Sequence, residues 1–228
     1  MSRYCLNYKG IPYKTIWVEY PDIAATCERL GVCTYKRDGT PGNPRYTLPV
    51  IHDPKTGQSI AESRHIVKYL DETYPDTPRL IPPGTQTLQT AFYYEYEDKH
   101  LEGLTNFVIP QTASILNPRS YEYFNETRSK WFKVDRVEDI YPKGEEKVKL
   151  WNEWKEEWGA VDKWMKDSET LLVMEDTITW ADFVVAAWVI WCRCIWGADS
   201  EEWKEIANWH GGRWGRLLER LSEYETVV

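Results

Sequence analysis

The sequence predicts two domains: a small α/β unit over residues 1–74 and an all-helical unit over residues 86–228, joined by a linker at 75–85. Strand-like segments of good quality stop before residue 62. Four prolines, Pro75, Pro78, Pro82 and Pro83, then crowd the stretch from Tyr74 to Gly84, a composition suited to a domain boundary. Beyond it, apolar residues recur at helical spacing.

Ser2 to Lys9 reads as the end of a helix, because Gly10 supplies a cap and Pro12 blocks continuation. Pro12 to Val18 alternates like a strand, and Asp22 to Leu30 reads as a short helix stopped by Gly31. A polar loop follows, dense in turn formers from Asp38 to Pro44. Tyr46 to His52 resumes as a strand, and Asp53 to Gly57 is a turn. The return strand, Gln58 to Ala61, closes an antiparallel hairpin and runs into a helix from about Glu62 to Thr73, ended before Pro75. In the second domain, helices are expected at Thr87–Asn106, Tyr121–Phe132, Glu145–Lys166, Trp180–Trp196, Glu201–Trp209 and Arg213–Tyr224. Trp151, Trp154, Trp158, Val161 and Met165 share one helix face and read as core.

Composition narrows the function. A net charge of −8 and the lack of a long basic run argue against nucleic acid and against an anionic membrane surface. No stretch approaches the 18 or so apolar residues of a membrane span. No charged-then-apolar leader is visible at the N-terminus, so the cytosol is expected. The five cysteines are odd in number and scattered, which suits free thiols, and the dispersed histidines give no metal-ligand spacing. Thirteen tryptophans and fifteen tyrosines are compatible with helix interfaces and with pockets for flat organic ligands alike.

Two constellations bear on chemistry. Pro49 sits inside an expected strand, where it removes a ladder hydrogen bond. It marks either an edge or bulge, the commoner case, or a cis peptide that turns the Leu48 main chain outward toward another peptide. At Ala61-Glu62-Ser63 a strand becomes a helix; the helix N-terminus and the Ser63 hydroxyl suit a carboxylate, while Glu62 suits an ammonium. Two consecutive residues thus match one amino acid's zwitterion. The structural alternative is a capping box over Ser59-Ile60-Ala61-Glu62, in which Glu62 merely closes the helix end.

Pro49-Val50-Ile51, a hairpin turn and Glu62-Ser63, followed by Ile66-Val67-Lys68-Tyr69-Leu70, resembles the glutathione-binding half of cytosolic glutathione S-transferases. The resemblance implies a thioredoxin-like N-terminal domain, with glutathione as co-substrate. It assigns Leu48 and Pro49 to the cysteinyl part of glutathione, and Glu62 and Ser63 to the γ-glutamyl end. Asn43-Pro44 also fits, and Lys36, Arg37 and Arg45 are all candidates for the glycine carboxylate. Ile178-Thr179-Trp180-Ala181-Asp182-Phe183 resembles the family's buried helix start, with Thr179 capping, Asp182 closing the box and Ile178 stapling to Phe183. Among subgroups, Tyr46 to Ile51 with Tyr4 to Gly10 looks most like fungal transferases related to bacterial etherases. The family implies a homodimer that detoxifies hydrophobic or aromatic small molecules; Phe107, Tyr121, Tyr123 and Trp131 are loose candidates for their pocket. A non-catalytic ligand-binding protein is the competing class.

In that family a first strand and a loop with the catalytic Tyr, Ser or Cys precede the first helix, and this sequence opens inside the helix. The catalytic residue is therefore expected upstream, and Tyr4 and Cys5 are not carried over to its role. The expectation is an N-terminally shortened enzyme of doubtful activity, or else a sheet whose remaining strands re-pair or borrow from a partner.

Overall fold

The computed structural model describes residues 1–36, 40, 42, 45–166 and 170–228. Of the expected turn cluster, Asp38, Gly39, Pro41, Asn43 and Pro44 lie outside the described residues, as does Arg37. The chain forms two compact units, Met1–Pro83 with Tyr224–Val228, and Gly84–Glu223.

In the N-terminal unit, α1 (Ser2–Lys9) ends at Gly10, whose φ of 64° only glycine adopts without cost; Ile11 N–H then closes onto Leu6 O at 3.0 Å. Helix α2 (Ile23–Leu30) is entered through a tight turn at Tyr20–Asp22 and ends the same way at Gly31. Strands β1 (Val50–Asp53) and β2 (Gln58–Ala61) pair antiparallel, Val50 opposite Ala61 and Asp53 opposite Gln58. Helix α3 (Ser63–Thr73) follows directly and buries Ile66, Val67 and Leu70.

The strand expected at Pro12 to Val18 does not form. The segment makes no ladder, and Ile16 and Trp17 are each 77% exposed. A strand needs a neighbour about 4.8 Å away, and among the described residues the sheet contains β1 and β2 alone. For the same reason β1 starts at Val50 rather than at Tyr46. The chain's last residues serve this region instead: Thr15 N–H donates to Val228 O at 2.7 Å, Asn7 Nδ2 to Tyr224 O at 2.7 Å, and Tyr13 Oη to Thr226 O at 3.0 Å. Tyr224–Val228 thus belongs with the N-terminal unit, although the sequence reading gave everything after residue 85 to the helical domain.

The C-terminal unit comprises α4 (Gln86–Gly103), α5 (Ile109–Thr112), α6 (Pro118–Phe132), α7 (Gly144–Lys166), α8 (Trp180–Trp196) and α9 (Glu201–Arg220). The tryptophan stripe of α7 is core, with Trp154 and Trp158 at 1% and 0% exposure. Helix α4 stops at Gly103 rather than Asn106 and widens into a π-type turn over Leu104–Val108. Gly103 is required where it stands, since a Cβ there would lie 1.8 Å from Trp154 Cδ1. The two helices expected around Glu201–Trp209 and Arg213–Tyr224 run together as α9, broken by non-helical backbone from Trp209 to Gly212. Among the described residues no helix is long and apolar enough to cross a membrane.

Helix α8 begins as its sequence signal says. Thr179 caps, Asp182 returns the bond to Thr179 N–H at 2.7 Å, and Ile178 and Phe183 are both buried. The Asp182 carboxyl also accepts from Val173 N–H at 2.7 Å. Burial pushes this carboxyl from an ordinary 3.8 to about 6, although its hydrogen bonds pull the other way. A folded-state value above the unfolded one means that the native protein binds the extra proton, so this group's contribution to stability falls as pH rises from about 4 to about 6. Asp182→Asn should flatten that part of the curve. Urea unfolding of both proteins across the interval checks it: equal slopes would contradict the assignment.

Candidate functional site

The site candidates converge on one end of the hairpin. The β1–β2 pairing ends at Val50 opposite Ala61, so Pro49 immediately precedes the paired segment and Glu62 immediately follows it, at the same end of the hairpin. The four residues chosen from sequence spacing therefore border the end of the hairpin at which β2 turns into α3. The Leu48–Pro49 peptide is cis, as in the sharper of the two readings, and Leu48 is 40% exposed. Among the described residues its N–H and C=O take no backbone partner, which leaves a peptide edge open to an extended ligand. The residue before it, Thr47, receives the Cys27 thiol of α2 on its carbonyl at 3.9 Å.

Glu62 stands at the N-cap of α3 with φ 69° and ψ 121°, a backbone conformation that side chains rarely adopt. It makes no capping hydrogen bond, so the capping-box alternative fails. The reason is local: Ser59, three residues before the N-cap, lies in β2 and pairs across the hairpin with His52 Nδ1 at 2.9 Å. Strain of this kind persists where the surroundings enforce it, often at functional sites. Burial raises the Glu62 carboxyl and Arg64 draws it back down. Ser63 is the first helical residue, beside N–H groups that have no carbonyl one turn back and carry the positive end of the helix dipole. An ammonium at Glu62 and a carboxylate at the α3 N-terminus are what this end can hold.

Two clamps absent from the sequence reading fix its geometry. Asp53, at the end of β1, accepts from Tyr69 Oη and Tyr74 Oη at 2.6 Å each, binding the hairpin turn to α3. These two hydroxyls hold the Asp53 carboxyl below its ordinary range, and Tyr74 rises to about 12 because of the same bond. At the other end of α3, Asp71 receives Lys9 Nζ at 2.8 Å and the N–H groups of Leu80 and Ile81 at 3.0 and 2.9 Å. Lys9 also donates to Pro78 O at 3.0 Å. In sequence, Asp53 reads as a turn former and Lys9 as an ordinary helix-end cation, so only the three-dimensional pairing reveals them.

Other candidates separate. Cys5 is fully buried and its thiol is pushed up to about 12, so it is not an available thiolate; the Tyr4 hydroxyl is bound to Glu225 at 3.1 Å. Arg45 stacks on Tyr46 with its guanidinium 5.5 Å from the ring centre, and Lys36 N–H donates to Thr40 O at 2.8 Å. Among the aromatic candidates, Phe107 is wholly buried between Trp151 and Trp154, and Tyr121 donates to Glu138 at 2.8 Å. Tyr123 and Trp131 are 39% and 53% exposed, with Arg128 over the Trp131 ring at 4.6 Å.

Comparison with known proteins decides the family. Residues 1–73 match the family model "Glutathione S-transferase, N-terminal domain", and residues 87–224 match "Glutathione S-transferase, C-terminal domain". The chain belongs to the glutathione S-transferase family. It is 43% identical to a glutathione S-transferase of Ceriporiopsis subvermispora crystallised in complex with glutathione, with a TM-score of 0.92 over 100% of this chain and 90% of the other. It is 38% identical to glutathione transferase GSTFuA3 of Phanerochaete chrysosporium, with a TM-score of 0.89 over 100% and 89%. A glutathione S-transferase-like protein, ustS, of Aspergillus flavus is 30% identical over 94% of this chain and 79% of its own length. The transferase fold is therefore that of the FuA-type fungal enzymes, with a small thioredoxin-like domain followed by a helical one.

Proposed function

We propose that this transferase binds glutathione at the hairpin end and uses its thiolate against hydrophobic or aromatic electrophiles. The observation that supports the reading is the presence of an open Leu48 peptide, a strained Glu62 and the Ser63 start of α3 on the two strand ends of one hairpin. In it, Leu48 pairs main chain with the cysteinyl residue, Pro49 holds that peptide edge outward, Glu62 takes the γ-glutamyl ammonium, and Ser63 with the helix end takes its carboxylate. The sulfur attacks the electrophilic carbon, a carbon–sulfur bond forms, and the leaving group departs with its electron pair. The support from relatives is the glutathione complex of the 43% identical transferase. Free thiols at all five cysteines accord with work in the cytosol, and a homodimer is the family's usual state.

The second reading is a non-catalytic binder of flat aromatics, favoured by the exposed Tyr123 and Trp131 and by the unsuitability of Tyr4 and Cys5 as catalysts. Paired assays separate the two. Glutathione-dependent turnover of a generic aromatic electrophile supports the enzyme. Displacement of a fluorescent aromatic dye without turnover supports the binder, and neither signal from a folded sample contradicts both.

A further inference from the structure

The break in α9 places a histidine in strained backbone against α7. His210 has φ 52° and ψ 47°, a left-handed conformation that side chains rarely adopt, and Gly211 and Gly212 continue it at φ 70° and 80°. The helix then resumes with Trp214, which is fully buried, its ring centre 4.9 Å from that of Trp158 on α7. The half-buried imidazole joins both sides of the break. Nδ1 lies 3.0 Å from Trp214 Nε1, and the ring also hydrogen-bonds the Lys155 backbone of α7. Its Nε2 sits over Gly159, where a Cβ would come within 2.9 Å of it.

These partners fix the tautomer. An indole N–H only donates, so Nδ1 must offer its lone pair, and a backbone carbonyl only accepts, so Nε2 must carry the proton. A neutral ring serves both. A second proton, on Nδ1, would set one N–H against another. Burial, the largest influence, opposes that proton; Asp162 and Glu156 of α7 favour it, and Lys155 opposes it. Asp162 is itself engaged by Arg213 Nε at 2.5 Å. Helix α8, which also packs on α9, has Asp182 and Arg193 as its charged residues, and neither acts on His210 as strongly as these. The net direction is below the ordinary 6.5, so the unfolded or opened chain takes the proton more readily than the native one; the bond's stability is present above that pH and is lost as pH falls. We propose that His210 is an acid-sensitive pin in the helical unit: below neutrality it takes a proton on Nδ1, gives up the Trp214 bond and releases the second half of α9, Arg213–Arg220, from α7.

Hydrogen exchange at about pH 7.5 and about pH 5, corrected for the intrinsic effect of pH on the exchange rate, tests this. In wild type, Arg213–Arg220 should open at least about 3-fold more at the lower pH, with the change confined to that half of the helix. His210→Asn should abolish the increase, since asparagine tolerates left-handed backbone and still offers Trp214 an acceptor, yet takes no proton. A second measurement needs no variant: in an NMR titration of wild type, the His210 ring, assigned through its contact with the Trp214 indole N–H, should have its midpoint below about 6.5 and lose that contact as it protonates. Equal opening of Arg213–Arg220 at the two pH values, the same acid increase in His210→Asn, or a His210 midpoint at or above about 6.5 overturns the proposal.

Discussion

Asp71→Ala is expected to destabilise the N-terminal unit by about 3–5 kcal/mol, a large share of what a domain this size possesses. Lys9 Nζ and Asp71 are buried to 0% and 5% side-chain exposure. Removing the carboxylate strands an ammonium in the interior with the Pro78 carbonyl as its acceptor, and it leaves the N–H groups of Leu80 and Ile81 without theirs. The pair Lys9→Met with Asp71→Leu removes both charges and should recover part of the loss. It cannot recover all of it, because the two linker N–H groups stay unserved. Hydrogen exchange at Val50–Ala61 and urea unfolding of the two single variants and the double measure this directly. A loss below about 1 kcal/mol in Asp71→Ala would mean that the ion pair is solvated in solution.

Glu62→Gly separates strain from binding. Glycine occupies φ 69° without the steric cost that glutamate meets there, so the variant should be more stable than wild type by about 1 kcal/mol. It should nevertheless bind glutathione about 10–100-fold more weakly, the range for losing a charge-assisted hydrogen bond. A residue that served the fold alone would show the opposite pattern, unchanged binding with changed stability. Thermal unfolding and calorimetry on one preparation give both numbers.

Local signals account for what was legible in the sequence. Gly10, Gly31 and the Thr179–Asp182 box fix helix ends through contacts within a few residues, and those ends fall where expected. Gly211 and Gly212 mark the break in α9 in the same way. The strand at Pro12 to Val18 was misread because strand formation depends on a neighbour that alternation cannot supply. The early end of α4 was missed because it reflects Trp154 packing on Gly103, some fifty residues apart in sequence. At the candidate site, the hairpin itself was visible in the sequence, and its pairing of Val50 with Ala61 leaves Pro49 and Glu62 as the residues flanking its open end. Its supports, Asp53 with Tyr69 and Tyr74 and Asp71 with Lys9, join residues whose spacing carries no pattern.

The central claim is that this chain holds glutathione at the hairpin end, and calorimetric titration of glutathione into wild type and Ser63→Ala tests it most directly. The account predicts a saturable wild-type isotherm, with affinity lowered about 10-fold or more in a Ser63→Ala protein that unfolds at the wild-type temperature. Equal affinity in the two proteins, or no heat of binding from a folded wild type, would contradict it.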